Sequence, residues 1–180
     1  MHVCYLSHTS EIQGGGERSL IEMIQHVEAA GHRVMLISPP GPLRDEYRKV
    51  SESPHEQVMF RIMRRTRNPL RLVAYAASYL RSVARLRRAI RRSRPDVVHA
   101  NSAPAALFGG VAVMGLGVPM VWHMRDIQPR AFTFRLTLPL IGRRCARVLA
   151  ISRAVRDNLV SFGIPSDKVT IFYNAVRPPK

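Results

Sequence analysis

The sequence predicts a doubly wound α/β fold, a mostly parallel sheet with helices on both faces. Three observations carry this. Short apolar runs recur along the whole chain, amphipathic helical patterns separate them, and the runs are too apolar to face water on either side. At 180 residues and 46% hydrophobic content the chain is long enough for one domain with a sizeable core.

The first run, HVCYLS at 2–7, reads as a short buried strand. A glycine-rich turn follows, then a helix from about 17 to 30 with Leu20, Ile21, Met23, Ile24 and Val27 at mixed three and four spacing. Gly31 stops this helix and RVMLIS at 33–38 resumes as a strand. A βαβ unit of this length implies a parallel pair with a right-handed crossover. The pattern repeats with strand QVMFRI at 57–62, a long helix over 69–92, strand DVVHA at 96–100, a helix over 104–114 and strand PMVWH at 119–123. A helix over 132–144, strand RVLAI at 147–151, a helix over 153–162 and strand VTIFY at 169–173 complete it.

The uncharged stretch 103–122 is as long as a membrane span, but Pro104, Gly109, Gly110, Gly115, Gly117 and Pro119 divide it. A buried helix, a tight turn and a buried strand account for it without lipid. The amino terminus lacks the basic start and apolar core of a secretory signal, so a cytoplasmic protein is expected. Cys4 and Cys145 show no metal-ligand or CxxC spacing and read as buried free thiols.

Ligands of open parallel sheets bind beyond the carboxyl ends of the strands, so candidate residues are sorted by strand end. Gly14, Gly15 and Gly16 follow the first strand and open the first helix, where backbone N–H groups and the helix dipole favour an anion. This is not a P-loop, since no GK[ST] follows, and Ser19 stands where a dinucleotide fingerprint needs its third glycine or alanine. A purely structural turn remains open as the other reading. His99 and His123 end the fourth and fifth strands and are expected to line the crevice. His8 follows the first strand and could reach the site, though with no partner in view, while His26, His32 and His55 read as surface or structural.

After His123 the chain places Arg125 and Asp126 at the same strand end. Arg125 suits a phosphate, and Asp126 could orient His123 or bind a hydroxyl; a surface ion pair and a capping aspartate are the plainer alternative. Asn101 and Ser102 precede a helix, as does Ser152, and N-capping alone would justify them. No GxSxG elbow, HExxH or CxxC pair occurs, and two separated histidines without acidic neighbours make a poor metal site.

Three segments, in order, resemble the amino-terminal domain of the retaining GT-B glycosyltransferases called GT4. The first, GGGERSLIEMIQHVEAAGHRVMLIS at 14–38, follows that family's GGxE…GHxV pattern. The second is DVVHANS at 96–102, and the third is RVLAISRAVRDNLVSFGIPSDKVTIFYNAV at 147–176. The resemblance implies a Rossmann-like acceptor-side domain over 1–176, a linker beginning at 177–180, and a carboxy-terminal donor-binding domain that these residues do not contain. It implies transfer of a sugar from a nucleotide-sugar with retention, with no cofactor and no obligatory metal. Gly14, Gly15 and Gly16 would approach the donor diphosphate, and His123 would sit beside the transferred sugar as the catalytic residue. Arg125 and Asp126 would lie nearby, and His99, Asn101, Ser102 and Ser152 complete the acceptor or sugar side. The family's Asn-Gly near the end is Asn174–Ala175 here, and no glutamate pair stands at the Glu-x7-Glu spacing of its donor domain. The 180 residues alone are therefore expected to be inactive. The alternatives are a non-catalytic anion-binding module of the same fold, or one subunit of a two-chain glycosyltransferase.

The formal charge is +16, from 28 Lys and Arg against 12 Asp and Glu, and nearly all the cations are arginine. Such a surface attracts polyanions. No acid occurs between Arg61 and Arg94. In the long helix Leu72, Ala76, Tyr79, Val83, Leu86 and Ile90 form an apolar stripe, with Arg81, Arg85, Arg88 and Arg92 opposite. Two readings stand: a solvated basic face, or docking on anionic lipid that would suit a lipid-linked or membrane-bound acceptor. The scarcity of aromatics in this segment and the lack of a recognised module disfavour nucleic acid.

Overall fold

The computed structural model describes residues 1–12, 14–61, 66 and 68–173. Strands β1 (His2–Leu6), β2 (Arg33–Ser38), β3 (His55–Gln57), β4 (Val97–Ala100), β5 (Met120–Met124), β6 (Arg147–Ala150) and β7 (Val169–Ile171) form one sheet in the order β3-β2-β1-β4-β5-β6-β7. Every pairing is parallel. The order reverses between β1 and β4, which makes the sheet doubly wound and sets the crevice at the carboxyl ends of those two strands.

Both faces are covered because both are apolar. Along β1, Cys4 and Leu6 point into one core while Val3 and Tyr5 point into the other. Helices α1 (Gly15–Ala29) and α2 (Pro42–Val50) close the smaller core through Leu20, Ile24, Leu43 and Tyr47. Helices α3 (Pro69–Ser93), α4 (Ala103–Ala112), α5 (Phe132–Arg144) and α6 (Arg153–Ser161) close the larger one. The stretch 103–122 is a buried helix, a turn and a buried strand, and among the described residues no helix is long and apolar enough to cross a membrane. Gly109 does not break α4; a Cβ there would lie 2.8 Å from Leu6 Cδ1, so the glycine lets the helix press onto the sheet. Cys4 and Cys145 are free and buried.

The structure departs from expectation in four places. The third strand is His55–Gln57 rather than 57–62, of which 62 lies outside the described residues. Its neighbour β2 ends at Ser38, paired with Gln57, and Pro39–Pro40 beyond it have no N–H to extend the ladder. Helix α2 was not anticipated, since PLRDEYRKV is mostly charged and buries only Leu43 and Tyr47. Helix α1 begins at Gly15, not near Glu17, so two of the three glycines are helical. In α3, Val83, Leu86 and Ile90 are buried and Tyr79 half-buried, but Leu72 and Ala76 are exposed because the first turns extend past the packed layer. The expected linker at 177–180 and the Asn174–Ala175 turn lie outside the described residues.

Candidate functional site

The β1–α1 connection, the end of β4 and the end of β5 enclose an open cleft of about 410 Å³. Gly14, Gly15, Gly16, Glu17 and His8 line one side, and Asn101, Ser102, Arg125, Asp126 and Ile151 the other. At the amino end of α1, Gly14 N–H donates to Glu17 Oε2 at 3.2 Å, which ties down one free amide of the helix start. None of the three glycines has a positive φ, so backbone strain does not explain them. Gly16 is explained by contact: a Cβ there would sit 3.3 Å from Arg125 Cδ. A Cβ on Gly15 would meet nothing within 4 Å, so the missing side chain leaves the backbone open at the cleft.

Arg125 lies across this helix start. Its Nε donates to Asn101 Oδ1 at 3.0 Å, and Asn101 Nδ2 donates to Gly16 O at 3.4 Å. Asn101 is buried, and its own N–H donates to Leu6 O, so β1, α1 and the end of β4 hold Arg125 as a unit. Burial lowers the Arg125 pKa, opposed by Glu17 and Asp126, and the group remains a cation at neutral pH.

Ser102 caps α4, accepting from Ala105 N–H at 3.2 Å, and its Oγ lies 2.8 Å from His8 Nδ1. This pair places His8 in the cleft wall. Burial lowers the His8 pKa, with Glu17 and Asp126 acting in the opposite direction, so the ring is neutral at pH 7. No local pattern points to this partner, which stands 94 residues away.

His99 and His123 do not line the cleft. Both are buried within their strands, and His123 is fully enclosed. Their rings meet edge to face at 5.4 Å, with Tyr5 against His99 and Phe172 against His123. Helices cover both faces of the sheet, so these positions lie in a core whichever face they take, as do the terminal Ala100 and Met124. Burial, and then the charge of Arg125, hold both pKa values down at about 3, so both imidazoles are neutral. Arg125 Nη2 stands 3.5 Å from His123 Nδ1, which leaves the arginine at the cleft and the imidazole behind it. Asp126 is exposed at the rim, away from the enclosed His123. Ser152 is the N-cap of α6, accepting from Val155 N–H at 3.2 Å, as the capping alternative holds.

Arg81, Arg85 and Arg88 are exposed on α3, and Arg92 is paired with Glu56 of β3. Among the described residues no group of three His, Cys, Asp or Glu side chains is placed to hold a metal ion.

The family model described as Glycosyltransferase Family 4 matches residues 13–179. A GDP-mannose-dependent alpha-mannosyltransferase of Mycobacterium tuberculosis is 28% identical over 164 residues, covering 84% of this chain and 41% of that protein. The UDP-N-acetylglucosamine–N-acetylmuramyl-(pentapeptide) pyrophosphoryl-undecaprenol N-acetylglucosamine transferase of Shewanella amazonensis is 32% identical over 106 residues, 52% of this chain and 28% of that protein. The crystal structure of Anabaena HepE in complex with UDP superposes with a TM-score of 0.74 at 19% identity, over 98% of this chain and 44% of that one. The chain thus spans less than half the length of these relatives. With the family model covering nearly all of it, the chain belongs to glycosyltransferase family 4.

Proposed function

We propose that this chain forms the acceptor-side half of a retaining glycosyltransferase that moves a sugar from a nucleotide-sugar to an acceptor. The observation that carries the proposal is the convergence of the open glycine start of α1 with the buried-anchored Arg125 in one cleft. When the sugar–phosphate bond breaks, negative charge develops on the leaving nucleoside diphosphate. Amides at a helix start and a fixed guanidinium stabilise that charge without reorganising. They do so without an obligatory metal. His8 offers a neutral hydrogen-bonding nitrogen beside them, while Asn101, Ser102 and Asp126 are the polar groups available to sugar or acceptor hydroxyls.

His123, which the resemblance sets beside the transferred sugar, acts here from behind Arg125 and positions it. His99 supports His123 in the same aromatic stack. The nucleotide itself is bound by a second domain outside these 180 residues, so the chain alone transfers no sugar at a useful rate.

The protein works in the cytoplasm, in keeping with its two free thiols, at the inner face of the membrane. The exposed Arg81, Arg85 and Arg88 favour an anionic surface. A lipid-linked acceptor fits this placement, and the Shewanella relative is named for an acceptor on pyrophosphoryl-undecaprenol.

The test is to incubate the full-length protein with GDP-mannose or UDP-N-acetylglucosamine and lipid-linked acceptors, with and without a chelator. Product with the donor's anomeric configuration, formed equally in chelator, is expected. An inverted product refutes retention, and turnover by residues 1–180 alone refutes the need for a second domain.

A further inference from the structure

Helix α5 carries an apolar stripe on its outer side that the core does not use. Its inner side buries Leu138 and Ile141, while Phe132, Leu136 and Leu140, spaced four apart, are 74%, 54% and 58% exposed. The early turns of α3 repeat the pattern with Leu70, Val73 and Leu80, which are 79%, 67% and 64% exposed. From 69 to 76 the helix overhangs by about 12 Å at the helical rise of 1.5 Å per residue, and Leu80 continues the stripe beside Tyr79, which packs on Phe108.

The two stripes lie on the same side of the molecule. Helices α3, α4 and α5 pack side by side over one face of the sheet. Each runs back antiparallel to the strand it follows, so the first turns of α3 and α5 stand at the carboxyl edge, where the cleft opens. This layer is also free of acid: the sequences of α3, α4 and α5 contain no Asp or Glu, while Arg71 and Arg81 flank one stripe and Arg135 and Arg143 the other.

Exposed leucine and phenylalanine on helices whose only charges are arginines match an anionic lipid interface, into which apolar side chains sink while guanidinium groups remain among headgroups. Nucleic acid would engage the arginines but leave the stripes in water. We propose that the outer face of α5, through Phe132, Leu136 and Leu140, inserts into an anionic lipid leaflet together with the first turns of α3. This rests on the membrane-docking reading above and extends it from charge attraction on the arginines of α3 to apolar insertion on α5.

Co-sedimentation of the full chain with vesicles of phosphatidylglycerol and of phosphatidylcholine tests it. The three α5 side chains are exposed, so the variant F132S/L136S/L140S should keep the wild-type circular dichroism spectrum and melting temperature. The wild type is expected to pellet with phosphatidylglycerol vesicles. The triple variant should lose about tenfold or more of its partition coefficient, since full burial of each such side chain is alone worth about tenfold. A dye on Leu136→Cys should shift to the blue on binding. If the triple variant binds like wild type while R81Q/R85Q/R88Q does not, insertion by α5 is refuted and charge docking stands. If the wild type fails to prefer phosphatidylglycerol, both fail. A wild-type dimer that the triple variant abolishes, with no vesicle binding, would assign the stripe to a second copy and overturn the proposal. Salt-sensitive retention on DNA with no vesicle preference would do the same in favour of nucleic acid.

Discussion

Lowering the pH from about 7.5 to about 4.5 sets the enclosed imidazoles of His99 and His123 against the stability of the sheet. In the native chain both titrate near 3, depressed by burial and by the charge of Arg125, against an ordinary value of 6.5. The unfolded chain therefore takes up two protons that the native chain refuses. This contribution to stability is intact above pH 6.5 and is lost progressively as the pH falls toward 3. One proton of difference changes the unfolding free energy by about 1.4 kcal/mol per pH unit, so the pair contributes a slope of about 2.7 kcal/mol per unit below pH 6. A domain stable by about 5–15 kcal/mol loses much of its margin by pH 4 at that slope. Burial also lowers the pKa values of His2, His8 and His55, which adds slope of the same sign. Urea unfolding at a series of pH values measures the total, and His99→Gln and His123→Gln isolate the pair. Each variant should lower the slope by about 1.4 kcal/mol per pH unit whatever it does to stability at pH 7.5. Variants with the wild-type slope, or a wild type equally stable at pH 7.5 and 4.5, would show that burial does not hold the two imidazoles neutral in the native chain.

Three further outcomes follow from packing and backbone geometry. Gly142→Ala places a Cβ 2.8–2.9 Å from three carbons of Ile164, so a loss of about 1–2 kcal/mol is expected after the gain in helix propensity. Urea midpoints should show that loss vanish in an Ile164→Ala background, where all three carbons are gone. Arg94 closes α3 in the left-handed region at φ 47°, so Arg94→Gly should raise stability by about 1 kcal/mol in a thermal melt. Ser102→Ala removes the α4 cap and should cost about 1 kcal/mol by the same assay.

The middle of the sheet was legible because β1, β2, β4 and β5 are buried on both faces, which produces apolar runs that polar segments cannot imitate. Helix α5 was read at its observed bounds, Phe132–Arg144, despite Pro139 within it. The short α2 was not, since two buried residues in nine give too little periodicity to separate a helix from a polar loop. The edge strand β3 was misplaced for a related reason. Val58 and Phe60 are buried and apolar but extend past the end of their neighbour, a fact about β2 that the run itself does not record.

At the cleft, the strand-end rule found Arg125, Asp126, Asn101 and Ser102. It failed for His99 and His123, because both faces of the sheet are covered and the last residues of β4 and β5, Ala100 and Met124, are themselves buried, so the cleft begins only beyond the strand. His8 joined the site only through Ser102, and no local pattern announces a hydrogen bond between residues 94 positions apart. The glycines changed meaning as well. Gly16 admits Arg125 and Gly15 opens the helix start, neither of which requires an unusual backbone angle.

We propose that Arg125, anchored by Asn101 over the start of α1, stabilises the diphosphate leaving a nucleotide-sugar. The most direct measurement is kcat for sugar transfer by the full-length protein carrying Arg125→Ala, beside the wild type. Loss of one preorganised stabilising group predicts a kcat lower by about 10²–10³-fold. A kcat unchanged from wild type would contradict the claim.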